Sequence, residues 1–355
     1  MIRRTLRWLF LAIVCGLLLT DASDKVCVAC PPPAEAIRDG ARLRLLMNEL
    51  LRRRDLSLNG KSRRRPHPEL SSWTNGQLLG AMNEGTFLYG SDDRQDPLFV
   101  TDRIVRGYFG SVAAVIPMAI LHDHGDHWTL DKHPLSEQHI CPHQRFANEP
   151  AAADCTAFVV APNVLATAAH CFDVTGTFEI RYVIGFRRHF LAMPATFPAA
   201  DVYEAESTDI HCAENEVEWA LVKLKRPIAG AVVLPRTTSD TIAVGASLSM
   251  LGYPAGVPLK YATNASVRTI DGSKKTFLAN LDAFHGNSGS PVFNADHRLE
   301  GLLVAGENDW TESLCGCRRP LPCRDEECRG ETVVRIQNVP TEFPQNPDGR
   351  PCSQR

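Results

Sequence analysis

At 355 residues the chain is long enough for one large domain, or one domain with appendages. Hydrophobic residues make up 44% and charged residues 22%, the balance of a globular protein rather than a disordered or fibrous one. A formal net charge of −3 gives no global electrostatic case for nucleic acid or an anionic membrane as partner.

Arg3, Arg4 and Arg7 precede an apolar run from Trp8 to Leu19, and small or polar residues follow from Thr20 to Ser23. A basic head, a short apolar stretch and a small-residue exit predict a signal peptide over 1–23. The run is shorter than the ~20 apolar residues a bilayer span requires. The expected location is therefore secreted or periplasmic, with no membrane association after signal removal. Cysteine usage agrees: apart from Cys15 the twelve leave an odd set, suited to an oxidising compartment, with at least one thiol unpaired within the chain.

Residues 24–95 are expected to be a pre-segment. Ile37, Ala41, Leu45 and Leu46 stand at helical spacing within 34–56, and the basic, Pro-containing stretch 52–68 reads as an exposed linker. A propeptide and a helix packed on the main domain are both compatible with this pattern. Between 96 and 340 the texture changes. Short β-prone runs at 111–116, 156–160, 220–224, 247–251, 290–293 and 302–304 alternate with Gly, Pro and Asn turns, which predicts an all-β barrel or sandwich. Residues 341–355 form a C-terminal tail.

Three segments carry the chemistry. Thr167-Ala-Ala-His170-Cys171 follows a strand-like run that begins at Cys155; Glu218-Trp-Ala-Leu-Val-Lys-Leu224 comes next; Gly286-Asn-Ser288-Gly-Ser-Pro291 comes last. His, acid, Ser is one of the chain orders of a serine-nucleophile triad. A serine hydroxyl needs a base to take its proton during attack. His170 is suited to that role and to returning the proton to the leaving amine. Glu218 would hold the imidazole in the required tautomer. The glycines around Ser288 permit a sharp turn that aims the Gly286 and Ser288 N–H groups at a developing oxyanion. A Cys155–Cys171 bridge would tie the histidine loop to a neighbouring strand.

These motifs resemble the trypsin/chymotrypsin serine protease superfamily. Asp92-Asp93-Arg94, Gly252-Tyr-Pro-Ala-Gly256 and Gly286-Asn-Ser-Gly-Ser-Pro-Val292 are similar to its bacterial glutamyl-endopeptidase-like branch. The resemblance spans roughly 88–340. It implies two perpendicular six-stranded β-barrels, a peptide or protein substrate, no cofactor and no metal. It also implies activation by cleavage near Asp92–Arg94. Two departures stand out. Glu218 replaces the family's Asp, which moves the carboxylate by about one C–C bond, and the specificity histidine expected near Leu303 is missing. Asp282, six residues before Ser288, holds the position where trypsin-like enzymes keep an acid for basic side chains. Asp282 and Leu303 are thus the candidate specificity-pocket residues, with the cleavage preference open.

Two other function classes compete. A protease-like binding module that has lost turnover would keep the fold. His122-Asp-His124-Gly-Asp126-His127 matches the spacing of metallo-β-lactamase-type zinc hydrolases, although a polar surface loop explains it as well. Cys315, Cys317, Cys323 and Cys328 are expected to form two disulfides pinning a loop, and Cys141 is expected to pair with Cys212. Connectivity beyond Cys155–Cys171 and oligomeric state are not legible in the sequence.

Overall fold

The structure is a computed structural model. It describes residues 45, 48–49, 51–58, 60–71, 89, 92–131, 133–141, 144–174, 179–187, 195–212, 217–239, 241–273, 275–312, 316–321, 323 and 328–345. The expected signal peptide, Asp24, most of the pre-segment, Cys27, Cys30, Cys315, Cys352 and the end of the tail lie outside these residues.

The first half contributes β1 (Val112–Pro117), β2 (Leu121–Asp123), β3 (His127–Leu130), β4 (Cys155–Ala161), β5 (Val164–Thr167), β6 (Ile180–Ile184), β7 (Thr196–Pro198), β8 (Val202–Tyr203), β9 (Ala205–Cys212) and β10 (Glu218–Leu224). The second contributes β11 (Ser247–Gly252), β12 (Lys260–Ile270), β13 (Thr276–Ala279), β14 (Pro291–Asn294), β15 (Leu299–Ala305), β16 (Trp310–Glu312), β17 (Arg318–Pro320) and β18 (Glu331–Arg335). The all-β expectation holds. The second half closes into a six-stranded barrel, β11-β12-β13-β18-β15-β14, while the first forms a seven-stranded sheet in the order β8-β6-β1-β4-β5-β10-β9. The first unit therefore departs from the expected closed six-stranded ring. Its ends are the two-residue β8 and the polar β9, whose pattern Ala-Glu-Ser-Thr-Asp-Ile-His-Cys suits an edge with one solvated face.

Sequence pattern explains the strand positions. β4 reads Cys-Thr-Ala-Phe-Val-Val-Ala and is buried at every position but its last, the signature of a strand covered on both faces. It lies between β1 and β5. Antiparallel pairing sets Ala220 of β10 opposite Thr167 of β5, so the start of β10 faces the chain just beyond the end of β5. The main apolar core runs across both halves, from Val112, Phe158 and Leu221 to Leu251, Phe293, Leu302 and Val334. That shared core fixes the two halves against each other and sets the loops after β5 and before β14 side by side.

Residues ahead of β1 are built into the second half. Gln95 exchanges backbone hydrogen bonds with Tyr261 of β12, at 2.8 and 2.9 Å. Asp92 and Arg94 are buried and joined by two hydrogen bonds of 2.8 and 2.7 Å, with Arg145 adding a third contact of 3.1 Å to Asp92. The helical residues 51–58 touch this region through Arg54, which donates to Leu98 O, and Ser57 O, which accepts from Arg103. Among the described residues, no helix is long and apolar enough to cross a membrane.

The disulfides correct part of the expected pairing. Cys155–Cys171 forms as expected, whereas Cys141 pairs with Cys317 rather than Cys212. Cys323 pairs with Cys328, so among the described residues that loop carries one internal bridge and one that leaves it. The reason is topological: Arg318, beside Cys317, lies alongside Ile140, and its N–H donates to His139 O, which brings Cys141 and Cys317 together.

Candidate active site

His170 lies three residues past β5 and Glu218 opens β10, so antiparallel pairing brings acid and imidazole together. Glu218 Oε1 forms a short contact with His170 Nδ1, and Glu218 Oε2 accepts from the His170 backbone N–H at 2.8 Å. Both carboxylate oxygens are thus engaged by one residue. The longer Glu side chain reaches this two-point arrangement, which fixes the Nδ1–H tautomer and turns Nε2 outward. The Cys155–Cys171 bridge anchors the histidine loop to the first residue of β4.

The serine loop is set by close backbone contacts. Ser288 O accepts from Thr156 N at 2.8 Å, and Gly286 O accepts from Thr156 Oγ1 at 2.8 Å, so β4 holds both sides of the nucleophile candidate. Gly286 and Gly289 have φ values of +94° and +87°, a region that L side chains rarely adopt. A Cβ at Gly289 would come within 2.1 Å of Thr156 O, and one at Gly286 within 2.4 Å of Tyr253 O. Glycine is required at both places. The backbone N–H groups of Asn287, Gly289 and Ser290 are spent on Phe284 O, Leu303 O and Asn287 O. Those of Gly286 and Ser288 donate to no group among the described residues, which leaves two N–H donors from alternate residues of one tight turn. Cys171 Sγ lies 3.8 Å from Ser288 O, so histidine loop and serine loop are in contact. No hydrogen bond joins Ser288 to His170 here; such bonds are commonly long in substrate-free sites.

A cavity of about 230 Å³ opens beside Ser288. Its walls are Ala283, Phe284, His285, Leu303, Ala305, Gly306, Glu307, Asp309 and Glu331. Leu303 is one of the lining residues. Asp282 does not line this cavity: it is buried, and its carboxylate accepts from Tyr89 N at 3.3 Å and Asp93 N at 2.7 Å. Burial, reinforced by the neighbouring Asp92, pushes Asp282 up to about 7. It serves as a tie between the 89–93 segment and the loop leading to Ser288. Arg94 extends that tie, with its guanidinium 4.0 Å above the Phe284 ring that lines the cavity. Glu307, Asp309 and Glu331 escaped the sequence reading because two come from the loop after β15 and the third from the start of β18, with no local motif to link them.

The 122–127 histidines form no shared metal cradle. His122 pairs with Asp131 at 2.7 Å, His124 with Thr129 at 2.9 Å, and His127 with Asp126 at 2.6 Å, all on the β2–β3 hairpin surface. Among the described residues, Cys155, His170 and Cys171 are the one group close enough to surround an ion, and two of these are already joined as a disulfide.

Several solved structures and one family model are similar to this chain. Active-form Rv3671c protease from M. tuberculosis is similar at 15% identity and a TM-score of 0.39, over 69% of this chain and 84% of that one. A Glu endopeptidase is similar at 15% identity and a TM-score of 0.40, over 71% and 97%. Human heparin binding protein is similar at 12% identity and a TM-score of 0.41, over 67% and 96%. Residues 155–302, which contain His170, Glu218 and Ser288, match the family model of the trypsin-like peptidase domain. The similarity to that family covers residues 155–302, less than half of the chain.

Proposed function

We propose that the protein is an exported serine endopeptidase in which Ser288 is the nucleophile, His170 the general base and acid, and Glu218 the orienting carboxylate. The observation that carries this reading is the double engagement of Glu218 by His170, at Nδ1 and at the backbone N–H. It holds the imidazole with Nε2 available to a serine hydroxyl, the polarity a triad requires.

Ser288 Oγ attacks the scissile carbonyl carbon while its proton passes to His170 Nε2. The carbonyl oxygen becomes an oxyanion that accepts from the Gly286 and Ser288 N–H groups, where one such donor is typically worth ~3–4 kcal/mol. Collapse breaks the C–N bond, and His170 gives its proton to the departing amine. Water, deprotonated by His170, then attacks the acyl-enzyme, and Ser288 leaves with the proton. The chemistry uses no cofactor, and the substrate is a protein or peptide. Export is supported by the disulfides among the described residues, which persist in oxidising compartments.

A fluorophosphonate probe tests this directly. Wild type is expected to label at Ser288, Ser288→Ala to lose labelling altogether, and Glu218→Gln to label ~10⁴-fold more slowly because the imidazole loses its tautomer control. Wild type that is folded by circular dichroism yet unlabelled would favour a protease-like binding module.

A further inference from the structure

We infer that the cavity beside Ser288 is a receptor for a basic side chain, read by Glu331 with help from Asp309 and Glu307 rather than by Asp282. The inference rests on the protease reading for its meaning as specificity, since the side chain received is that of the residue preceding the scissile bond.

The cavity's volume of about 230 Å³ is below the ~300–1,000 Å³ of drug-sized sites, a scale that suits one side chain. Its charged walls are one-signed: Glu307, Asp309 and Glu331, with no Lys or Arg among the lining residues and His285 at the exposed rim. Glu331 is only 5% exposed. Its Oε1 takes long contacts from Tyr89 Oη at 3.3 Å and Glu307 N at 3.4 Å. Its Oε2 has no hydrogen-bond partner among the described residues. That oxygen lies over Gly306, a lining residue, where a Cβ would come within 1.9 Å of it. Glycine at 306 therefore leaves the Glu331 carboxylate uncovered toward the cavity. A buried carboxylate with an unspent oxygen is costly in isolation and is relieved by a cation donating hydrogen bonds. Asp282, the position that sequence comparison favours, has both oxygens occupied by the 89–93 backbone.

The groups around Glu331 set how the cavity responds to pH. Tyr89, Glu307 and Asp309 face it, and Arg268 approaches the Tyr89 ring at 5.8 Å. Burial is the leading cause that pushes Glu331 up to about 8, and Asp309 is raised by burial as well. A bound cation favours the ionised carboxylate. Uptake of a basic side chain is thus coupled to proton loss from Glu331 and strengthens as pH rises from 6 toward 8.5.

The test uses 4-aminobenzamidine as a cationic probe, its neutral counterpart 4-aminobenzamide, and peptides differing only in the residue before the scissile bond. The amidine is expected to bind at least tenfold more tightly than the amide. Its affinity should rise between pH 6 and 8.5, and Glu331→Gln should weaken it about tenfold in protein that remains folded by circular dichroism. Asp309→Asn should weaken it by less. Equal binding of amidine and amide, or binding unchanged in both variants, overturns the inference. Wild type that labels with fluorophosphonate but cleaves after Glu or Leu faster than after Arg or Lys overturns it too, leaving the protease reading intact. Amidine binding that depends on Glu331 in protein that never labels would support the receptor and sink the protease reading instead.

Discussion

The replacement of Asp by Glu at 218 alters geometry in a way that side-chain length alone does not predict. The additional methylene would misplace a carboxylate aimed at Nδ1 only, yet here both oxygens engage His170, one at the ring and one at its backbone N–H. A shorter side chain cannot keep both contacts without movement of β10. Glu218→Asp is therefore expected to slow fluorophosphonate labelling by about 10–100-fold, the scale of an ångström-sized misplacement. A faster-labelling Asp variant would mean that Glu218 restrains the site. The serine motif was legible residue by residue, because Gly286 and Gly289 stand where any Cβ meets backbone. The cavity acids were not, since Glu307, Asp309 and Glu331 each look like an ordinary polar residue in a loop or at a strand start.

At the scale of elements, the site depends on β4, β5 and β10 being neighbours. β5 ends just before His170, β10 begins at Glu218, and β4 supplies Thr156 to hold the serine loop. The Cys155–Cys171 bridge closes a loop with a sequence separation of 16 between β4 and the histidine. Loop entropy at this length gives about 3 kcal/mol. Replacing both cysteines by serine is expected to lower unfolding stability by about that amount in a urea titration, and to slow labelling at Ser288. Loss of stability without slower labelling would show that β4 alone positions His170. The strand runs of 156–160 and 220–224 were legible because continuous apolar sequence marks strands covered on both faces. The openness of the first sheet was not, because its edges are a two-residue β8 and a polar β9 that carry little pattern.

Several acids are buried among the described residues. Glu149, Asp282 and Glu331 are pushed up to about 7, 7 and 8, with burial the largest cause in each case. Glu149 shares Lys260 with Asp96, at 2.7 and 2.6 Å, so one buried ammonium faces two carboxylates. In the folded protein these three groups keep protons that the unfolded chain releases above about pH 4.5, so stability falls as pH rises from there through 7 to 8. Asp92, lowered to about 2 by Arg94 and Arg145 despite its burial, acts in the opposite sense and loses its contribution as pH falls below 4. Urea midpoints are expected to be highest near pH 5 and to drop by pH 8.5. Glu331→Gln should flatten that drop, whereas a midpoint that climbs steadily from pH 5 to 8.5 would contradict the assignment of protons to these carboxyls. The buried Asp92–Arg94 pair also bears on processing. Asp92 and Arg94 are buried and Asp93 is half-buried, so cleavage at 92–94 would require this segment to detach first.

The sequence by itself determined the β-rich class, the serine and histidine motifs, the acid between them and the Cys155–Cys171 bridge. Each of these is encoded locally: in the period of apolar residues, in glycines required by a tight turn, or in short spacings along one strand and its loop. Only the tertiary structure decided which acids meet at the cavity, that Asp282 is consumed by the 89–93 segment, and that Cys141 reaches Cys317. Those outcomes depend on contacts between residues separated by tens to hundreds of positions. Such contacts are fixed by barrel closure and strand order, which no local pattern of side chains specifies.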